Sequence, residues 1–288
     1  MGRRQRLALV ALALVVLGLA AGADRDDADT IHPSHPPRFS HLALIVLENR
    51  GYRVIHSAKA PYLRSLARRS GLATDYFAVT HPSLPNYLAL TTGRTFDLRR
   101  DCRSCKIDLP SMFDQLNAAG ISWKAYFQGA KGTTRIDPFL HYEQTADGSF
   151  NDHVALLGQL TSDIRKRDLP RFSWVGLDLC SDGHSCGIGA TDSYLSTLVP
   201  PLLRALGPHG ALFLTWDEGN TNGGVGGEGG GHVPLIAAGG AVRPRARTGG
   251  VLNHYALLHT IERSFGLPPL HGAAATPTRG LFSLFKPA

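Results

Sequence analysis

The apolar positions of the chain fall into two rhythms. Residues 41–47 (HLALIVL) are almost continuously apolar, the pattern of a strand buried on both faces. Over 60–70, Leu63, Leu66 and Ala67 recur at helical spacing and Gly71 follows, so a helix is expected to stop there. The same reading predicts strands over 72–79, 121–127, 172–177, 211–216 and 234–238. It predicts helices over 86–92, 112–119 and 193–206, the last interrupted by Pro200 and Pro201, and over 253–265, with Asn253 as N-cap and Gly266 as terminator. Strands alternating with helices at this spacing indicate an α/β fold, a mostly parallel central sheet with helices on both faces. No internal repeat is present. The one low-complexity stretch is 219–231, with eight glycines in thirteen residues, and it is expected to be mobile in the absence of ligand.

The first residues have a different pattern. Arg3, Arg4 and Arg6 precede an apolar run over 7–21, and Ala21-Gly22-Ala23 offers a small-x-small cleavage site before acidic Asp24, Asp26 and Asp27. This predicts a signal peptide over 1–23, a proline-rich linker over 24–39 and a folded domain over 40–288. The protein is expected to be secreted or otherwise extracytoplasmic. An uncleaved segment would instead associate it with the membrane, although the run is short for a span. Four cysteines suit that destination, and in an oxidising compartment disulfides are the expected state. They allow three pairings, of which the local loops Cys102–Cys105 and Cys180–Cys186 are preferred.

Composition narrows the function further. With 43% hydrophobic and 18% charged residues the 288-residue chain is globular rather than disordered. Its formal charge of +7 includes the three N-terminal arginines. The remaining surplus is spread out, with no dense basic block interleaved with aromatics, so no nucleic-acid partner is expected.

The chemistry lies where the predicted strands end, the edge at which open α/β sheets gather ligand groups. Strand 41–47 runs into Glu48-Asn49, strand 172–177 into Asp178, Asp182 and His184, and strand 211–216 into Asp217-Glu218. His232 stands just before strand 234–238. Carboxylates brought together repel and are pushed towards protonation. A divalent cation relieves that conflict, and carboxylate with imidazole suits zinc, manganese or iron more specifically than calcium or magnesium. Taken singly, an acid after a strand is a turn former or a cap; the coincidence of three strand ends with two histidines is what points to a site. In Thr80-His-Pro-Ser-Leu-Pro-Asn-Tyr87, Ser83 falls near a helix N-terminus, where backbone N–H groups favour an anion. A hydroxyl placed there beside a metal can attack phosphorus. A serine-hydrolase reading of Ser83 and His81 lacks the G-x-S-x-G elbow, and the glycine-rich loop lacks the Gly-Lys-Ser/Thr of a P-loop.

The segments LIVLENRGY, HPSLPNYLALTTG, LCSDGHSC, TWDEG, GGGHVPLIAAG and NHYALLHTIERSFGLP, in this order, resemble the bacterial phosphoesterase family that includes acid phosphatases and phosphatidylcholine-type phospholipases C. That family is similar in fold to the alkaline phosphatase superfamily. The resemblance covers roughly 40–270 and implies an alkaline-phosphatase-like sandwich. It also implies a metal-dependent hydrolase of phosphoric esters with Ser83 as nucleophile. Glu48, Ser83, Asp182, His184, Asp217, Glu218 and His232 would form the metal-ligand set. Asn49 would bind substrate or metal, and Asn86 would help hold the transferred group as a catalytic and substrate-binding residue. Glu218 stands where the superfamily often has histidine, Asp178 where it often has asparagine, and Ser185 where an acid often follows the histidine. The expected substrate is a small phosphate ester or a phospholipid head group. The expected activity is acid-phosphatase-like. A phospholipase C or phosphodiesterase activity, or a surface-anchored binding protein without turnover, are the alternatives.

Overall fold

The computed structural model describes residues 36–102, 104–129, 150–223, 229–276 and 279–287. The expected signal segment 1–23 and linker residues 24–35 lie outside the described residues. Phe39 is already part of the core, edge-on to Phe213 and Phe285, so packing begins one residue before the expected domain boundary.

The strands, in chain order, are β1 (Leu42–Leu47), β2 (Gly71–Ala73), β3 (Tyr76–Phe77), β4 (Trp123–Phe127), β5 (Val154–Leu156), β6 (Phe172–Gly176), β7 (Ala211–Trp216), β8 (Leu235–Ala238), β9 (Arg247–Thr248) and β10 (Leu252–Asn253). Eight form one sheet in the order β5-β4-β6-β1-β7-β8-β2-β9, and β10 pairs with β3 separately. Only β8 runs against its neighbours β7 and β2; the other pairings in the large sheet are parallel. The continuous apolar run of β1 follows from its place between β6 and β7: all six residues are buried.

The helices gather in two groups. Pro61–Arg69 and Leu157–Lys166 pack against Ile188–Leu206, whereas Met112–Ala118 and His254–Phe265 pack against Ser83–Thr92. Asn253 caps the last long helix as its sequence predicts, its Oδ1 accepting the N–H groups of Tyr255 and Ala256 (3.1 and 3.3 Å), and Gly266 ends it in the left-handed region at φ 75°. Among the described residues no helix is long and apolar enough to cross a membrane.

Three expectations change. The 72–79 strand is two strands in different sheets, broken at Thr74-Asp75. The 193–206 helix begins earlier, at Ile188, and runs through Pro200 and Pro201 without interruption. The carbonyls that these prolines leave without the usual helical donor belong to Ser196 and Thr197, two exposed residues. The helix Leu157–Lys166 was not expected; its polar solvent face obscured the buried Leu157, Leu160 and Asp163. Both preferred disulfides, Cys102–Cys105 and Cys180–Cys186, are present.

Glu262 is a buried acid outside the strand-end cluster. Its Oε1 accepts the N–H of Leu270 (3.0 Å), while Oε2 has no partner. Burial pushes its carboxyl up to about 8, partly offset by the Leu270 N–H. A raised carboxyl holds its proton in the folded state after the unfolded chain has lost it, so its contribution falls as pH rises from the ordinary glutamate value through about 8. Glu262→Gln, which cannot ionise, is therefore expected to gain stability relative to wild type by about 4 kcal/mol between pH 5 and pH 9. Paired thermal melts at the two pH values check this; a constant difference would contradict it.

Candidate active site

Parallel pairing of β1 with β7 sets Leu47 opposite Trp216, so Glu48 and Asp217 leave the sheet side by side. The backbone holds them there. Asp217 N–H donates to Leu47 C=O (2.8 Å), Asn49 N–H donates to Asp217 Oδ1 (2.9 Å), and Glu48 N–H donates to Asp182 C=O (3.1 Å). Asn49 makes this turn in the left-handed region (φ 53°), which asparagine tolerates better than most residues. Glu48, Asp182, Asp217 and Glu218 are all buried.

Ser83 approaches from the facing helix. It is the first residue of Ser83–Thr92, and its Oγ lies 3.3 Å from Glu48 Oε2 and 3.5 Å from Glu218 Oε1. The N-cap residue, Pro82, offers no side-chain cap, and two other residues do its work. Asp101 Oδ1 accepts the N–H of Leu84 (2.9 Å). Asn86 Oδ1 accepts from Val79 and Thr80 N–H (2.9 and 3.1 Å), and its Nδ2 donates to Thr80 and Pro82 C=O (2.7 and 2.9 Å). All four bonds available to Asn86 are thus spent on the turn that presents Ser83, rather than on a ligand.

The electrostatics are those of crowded, desolvated acids. Burial, with the charge of Glu218 second, pushes Asp217 up to about 7. Burial does the same to Asp182 and to Glu218, each to about 7. Glu48 is raised well above the ordinary glutamate value, by burial first and by Asp217 next, although the Tyr87 hydroxyl opposes the shift. Asp217 Oδ2 is buried without any hydrogen-bond partner. Among the described residues no three His, Cys, Asp or Glu side chains are already closed into a metal cage.

The histidines diverge. His232 is clamped between the rings of Tyr52 and Phe77 (centroids 4.1 and 4.9 Å), with its Nε2 on the carbonyl of Thr74 (2.7 Å), which leaves Nδ1 as the ring's basic nitrogen. His184 is exposed, with Nδ1 on Ser185 Oγ (3.2 Å); only its backbone N–H reaches the acids, at Asp182 Oδ1 (2.8 Å). The glycine-rich connection is zipped at its base: Gly219 N–H donates to Gly230 C=O, Gly230 N–H donates to Ala78 C=O, and Ala78 N–H donates to Gly231 C=O. Of the loop 219–231, expected to be mobile without ligand, residues 224–228 lie outside the described residues.

Sequence reasoning missed four members of this network. Tyr87 donates its hydroxyl to Glu48 Oε1 at 2.6 Å; it is four residues after Ser83 and so shares its helix face, a signal the spacing contained. His81 Nδ1 meets Glu218 Oε2 at 2.6 Å, and its Nε2 is enclosed without a partner. Asp101 caps the helix of Ser83. His254 is fully buried between the Tyr76 hydroxyl (2.8 Å) and Asp217 C=O (2.6 Å), and burial lowers it to about 4, so it is neutral.

A phosphatidylinositol-3-phosphatase of Mycobacterium tuberculosis is 29% identical over 253 residues, covering 84% of this chain and 82% of that protein. A probable acid phosphatase of Kluyveromyces lactis is 24% identical over 276 residues; the match takes in 87% of this chain but 64% of the yeast protein, which is longer. In fold, a protein of the alkaline phosphatase superfamily from Vibrio parahaemolyticus matches with a TM-score of 0.61 at 13% identity, covering 84% of this chain and 72% of that one. The family match itself spans residues 47–268 and takes in Glu48, Ser83, Asp182, Asp217, Glu218 and His232: the chain belongs to the Phosphoesterase family.

Proposed function

We propose that the protein is an exported, divalent-cation-dependent phosphoric monoester hydrolase with Ser83 as its nucleophile. The observation that carries this reading is the placement of one buried hydroxyl, at a helix N-terminus, between the carboxylates of Glu48 and Glu218, in a cluster whose Asp217 keeps one buried oxygen without a partner. The names of the relatives, two of them phosphatases, favour monoesters. The two disulfides support an oxidising destination.

The donor set fits a divalent cation, because four buried acids that resist ionisation lose that resistance when a positive charge joins them. Glu48, Asp217 and Glu218 would hold it with Ser83, and Asn49 lies beside them. Asp182 and His232 would extend the set, His232 through Nδ1 with its Nε2–H oriented by Thr74, an arrangement common behind metal-bound imidazoles. His184 would have to turn inward from solvent. When bound, the cation would neutralise the acids and favour negative charge on the phosphoryl oxygens and at the serine.

The chain's own residues supply the rest. Ser83 Oγ forms a bond to phosphorus as the ester P–O bond breaks, and its proton passes to Glu48 or Glu218. The leaving alkoxide takes that proton back from the carboxyl and departs as the alcohol. Water then adds to phosphorus as the Oγ–P bond breaks, a proton of that water passes to Ser83 Oγ, and phosphate departs. The free N–H at the start of the Ser83 helix favours the phosphoryl anion. Asn86 positions the nucleophile's turn, and Tyr87 fixes the Glu48 carboxylate. Purified protein is expected to hydrolyse p-nitrophenyl phosphate, to lose that activity on dialysis against a chelator, and to recover it with one or more of zinc, manganese, iron, magnesium and calcium. Activity unaffected by chelation would overturn the cation requirement, and no hydrolysis with any of the five would overturn the assignment.

A further inference from the structure

The large sheet has a second edge, opposite the acids, where its parallel strands begin and the helices that precede them end. Pro61–Arg69, Met112–Ala118, Leu157–Lys166 and Ile188–Leu206 lead into β2, β4, β6 and β7. His254–Phe265 ends there too: Phe265 lies edge-on to Phe172, the first residue of β6 (6.3 Å), and the Arg171 guanidinium is 5.4 Å from the Phe265 ring centroid. Cations that are spread along the sequence meet at this edge. Arg165, Lys166 and Arg167 close one helix, Arg204 lies in the last turn of another and Arg263 in that of a third. Arg38 and Arg171 stand just before β1 and β6. All are exposed, and among the described residues none of them is in an ion pair. In the described segments that lead into β1, β2, β4, β5, β6 and β7, the acids are Asp152 and Asp168. A cation near a helix C-terminus complements the helix dipole, but Arg38 and Arg171 precede strands, whose net dipole is small.

A cavity of about 440 Å³ opens at this edge beside the start of β1, one of the central strands. Its lining includes His41, Arg167 and Arg204 together with apolar Ile164, Leu169 and Pro201. Two guanidinium groups without a carboxylate partner suit phosphate oxygens, which arginine binds bidentately. The apolar lining suits the carbon attached to such a phosphate. The two large apolar side chains that are exposed among the described residues, Leu156 and Val251, lie at the end of β5 and just before β10, away from this edge. The edge therefore offers neither a stacking platform for nucleic-acid bases nor an apolar wedge for insertion among acyl chains. What it offers is positive charge laid across the ends of elements that stand side by side.

We propose that this edge docks the protein on the surface of an anionic lipid bilayer, with a lipid phosphate seated between Arg167 and Arg204. A bilayer presents phosphates across a plane, as the edge presents its cations. The docking does not depend on the chemistry proposed for Ser83. It sets the strand-end acids on the side away from the bilayer, so that whatever their site acts on reaches it from solution. Each cation held near an anionic surface strengthens binding about fivefold, and added salt screens that gain.

The test is sedimentation of the exported protein, in chelator, with vesicles of phosphatidylcholine alone or with about one third phosphatidylglycerol, at about 0.1 M and about 0.5 M salt. Binding to the anionic vesicles is expected to be at least about tenfold tighter at the lower salt, and the difference to vanish at the higher. Arg167→Gln with Arg204→Gln, both at exposed positions, is expected to weaken that binding about tenfold or more. Arg53→Gln with Lys59→Gln removes the same charge from exposed positions in the segment that follows β1, and is expected to change it less than about twofold. Hydrogen exchange on the anionic vesicles is expected to show new protection over 165–171 and 204–210 and none over 48–51. Equal binding to both kinds of vesicle, equal losses in the two double variants, or protection over 48–51 without protection over 165–171 would overturn the docking. Tighter binding to a DNA duplex than to the anionic vesicles at the same salt would assign the edge to nucleic acid and overturn it as well.

Discussion

Ser83→Ala is expected to lower kcat for phosphomonoesters about a thousandfold or more, with the fold intact. The structure supplies the reason for expecting both halves. The hydroxyl's contacts to Glu48 and Glu218 are long, at 3.3 and 3.5 Å, so its loss removes little that holds the helix. The helix start is secured instead by Asp101 on Leu84 and by the four bonds of Asn86. Asn86→Ala should therefore show the opposite pattern, a lower melting temperature by an amount on the order of several degrees, from lost bonds worth about 1 kcal/mol each. Melts and kcat measured on both variants separate nucleophile from scaffold. Near-normal turnover in Ser83→Ala would remove the serine from the mechanism.

The second large effect concerns the protein without cation. Asp182, Asp217 and Glu218 are each pushed up to about 7, mainly by burial, and Glu48 is raised as well. Between the ordinary carboxylate value near 4 and about 7, the folded protein thus holds protons that the unfolded chain has released. Stability of the cation-free protein is expected to fall as pH rises through that window, by about 3–4 kcal/mol for each acid that ionises, so that Tm drops by roughly 10 °C or more. Saturating divalent cation should reverse the trend, because the ionised acids are what bind it. Asp217→Asn should flatten both trends. Melts from pH 4.5 to 7.5 with chelator and with cation are the measurement. A flat cation-free profile, or one that cation leaves unchanged, would contradict the description of these acids.

What could be read from the sequence was whatever depends on where a strand ends. The apolar runs located β1, β6 and β7, and the acids just beyond them, Glu48, Asp182 and Asp217-Glu218, are buried together. Ser83 was found because prolines and a following helical pattern mark a helix start. Partners chosen by three-dimensional packing were less legible. His254 serves Asp217 through a backbone carbonyl 37 residues away, which no local pattern encodes. His81 reads locally only as half of a serine-hydrolase pair, set aside for want of the G-x-S-x-G elbow; its bond to Glu218 spans 137 residues and no local pattern encodes it. Asn86 sits where a ligand-binding amide was expected, but its capacity is consumed within seven residues of itself. His184 has the right spacing from Asp182, yet its side chain points to solvent in the disulfide loop. The helix through Pro200 and Pro201 shows the same limit from the other side: local propensity predicted a break, and tertiary packing of Leu195, Val199, Leu202 and Leu206 overrode it.

The central claim is that phosphoryl transfer proceeds through Ser83 in two displacements, first to the serine and then to water. Each in-line displacement inverts phosphorus, so two restore the starting configuration. The most direct measurement is the stereochemical course of transfer from a phosphomonoester made chiral with oxygen isotopes, using an added alcohol as acceptor so that the product remains chiral. Retention of configuration is the predicted result; inversion would mean that the acceptor attacks the substrate directly and would contradict a phosphoseryl intermediate.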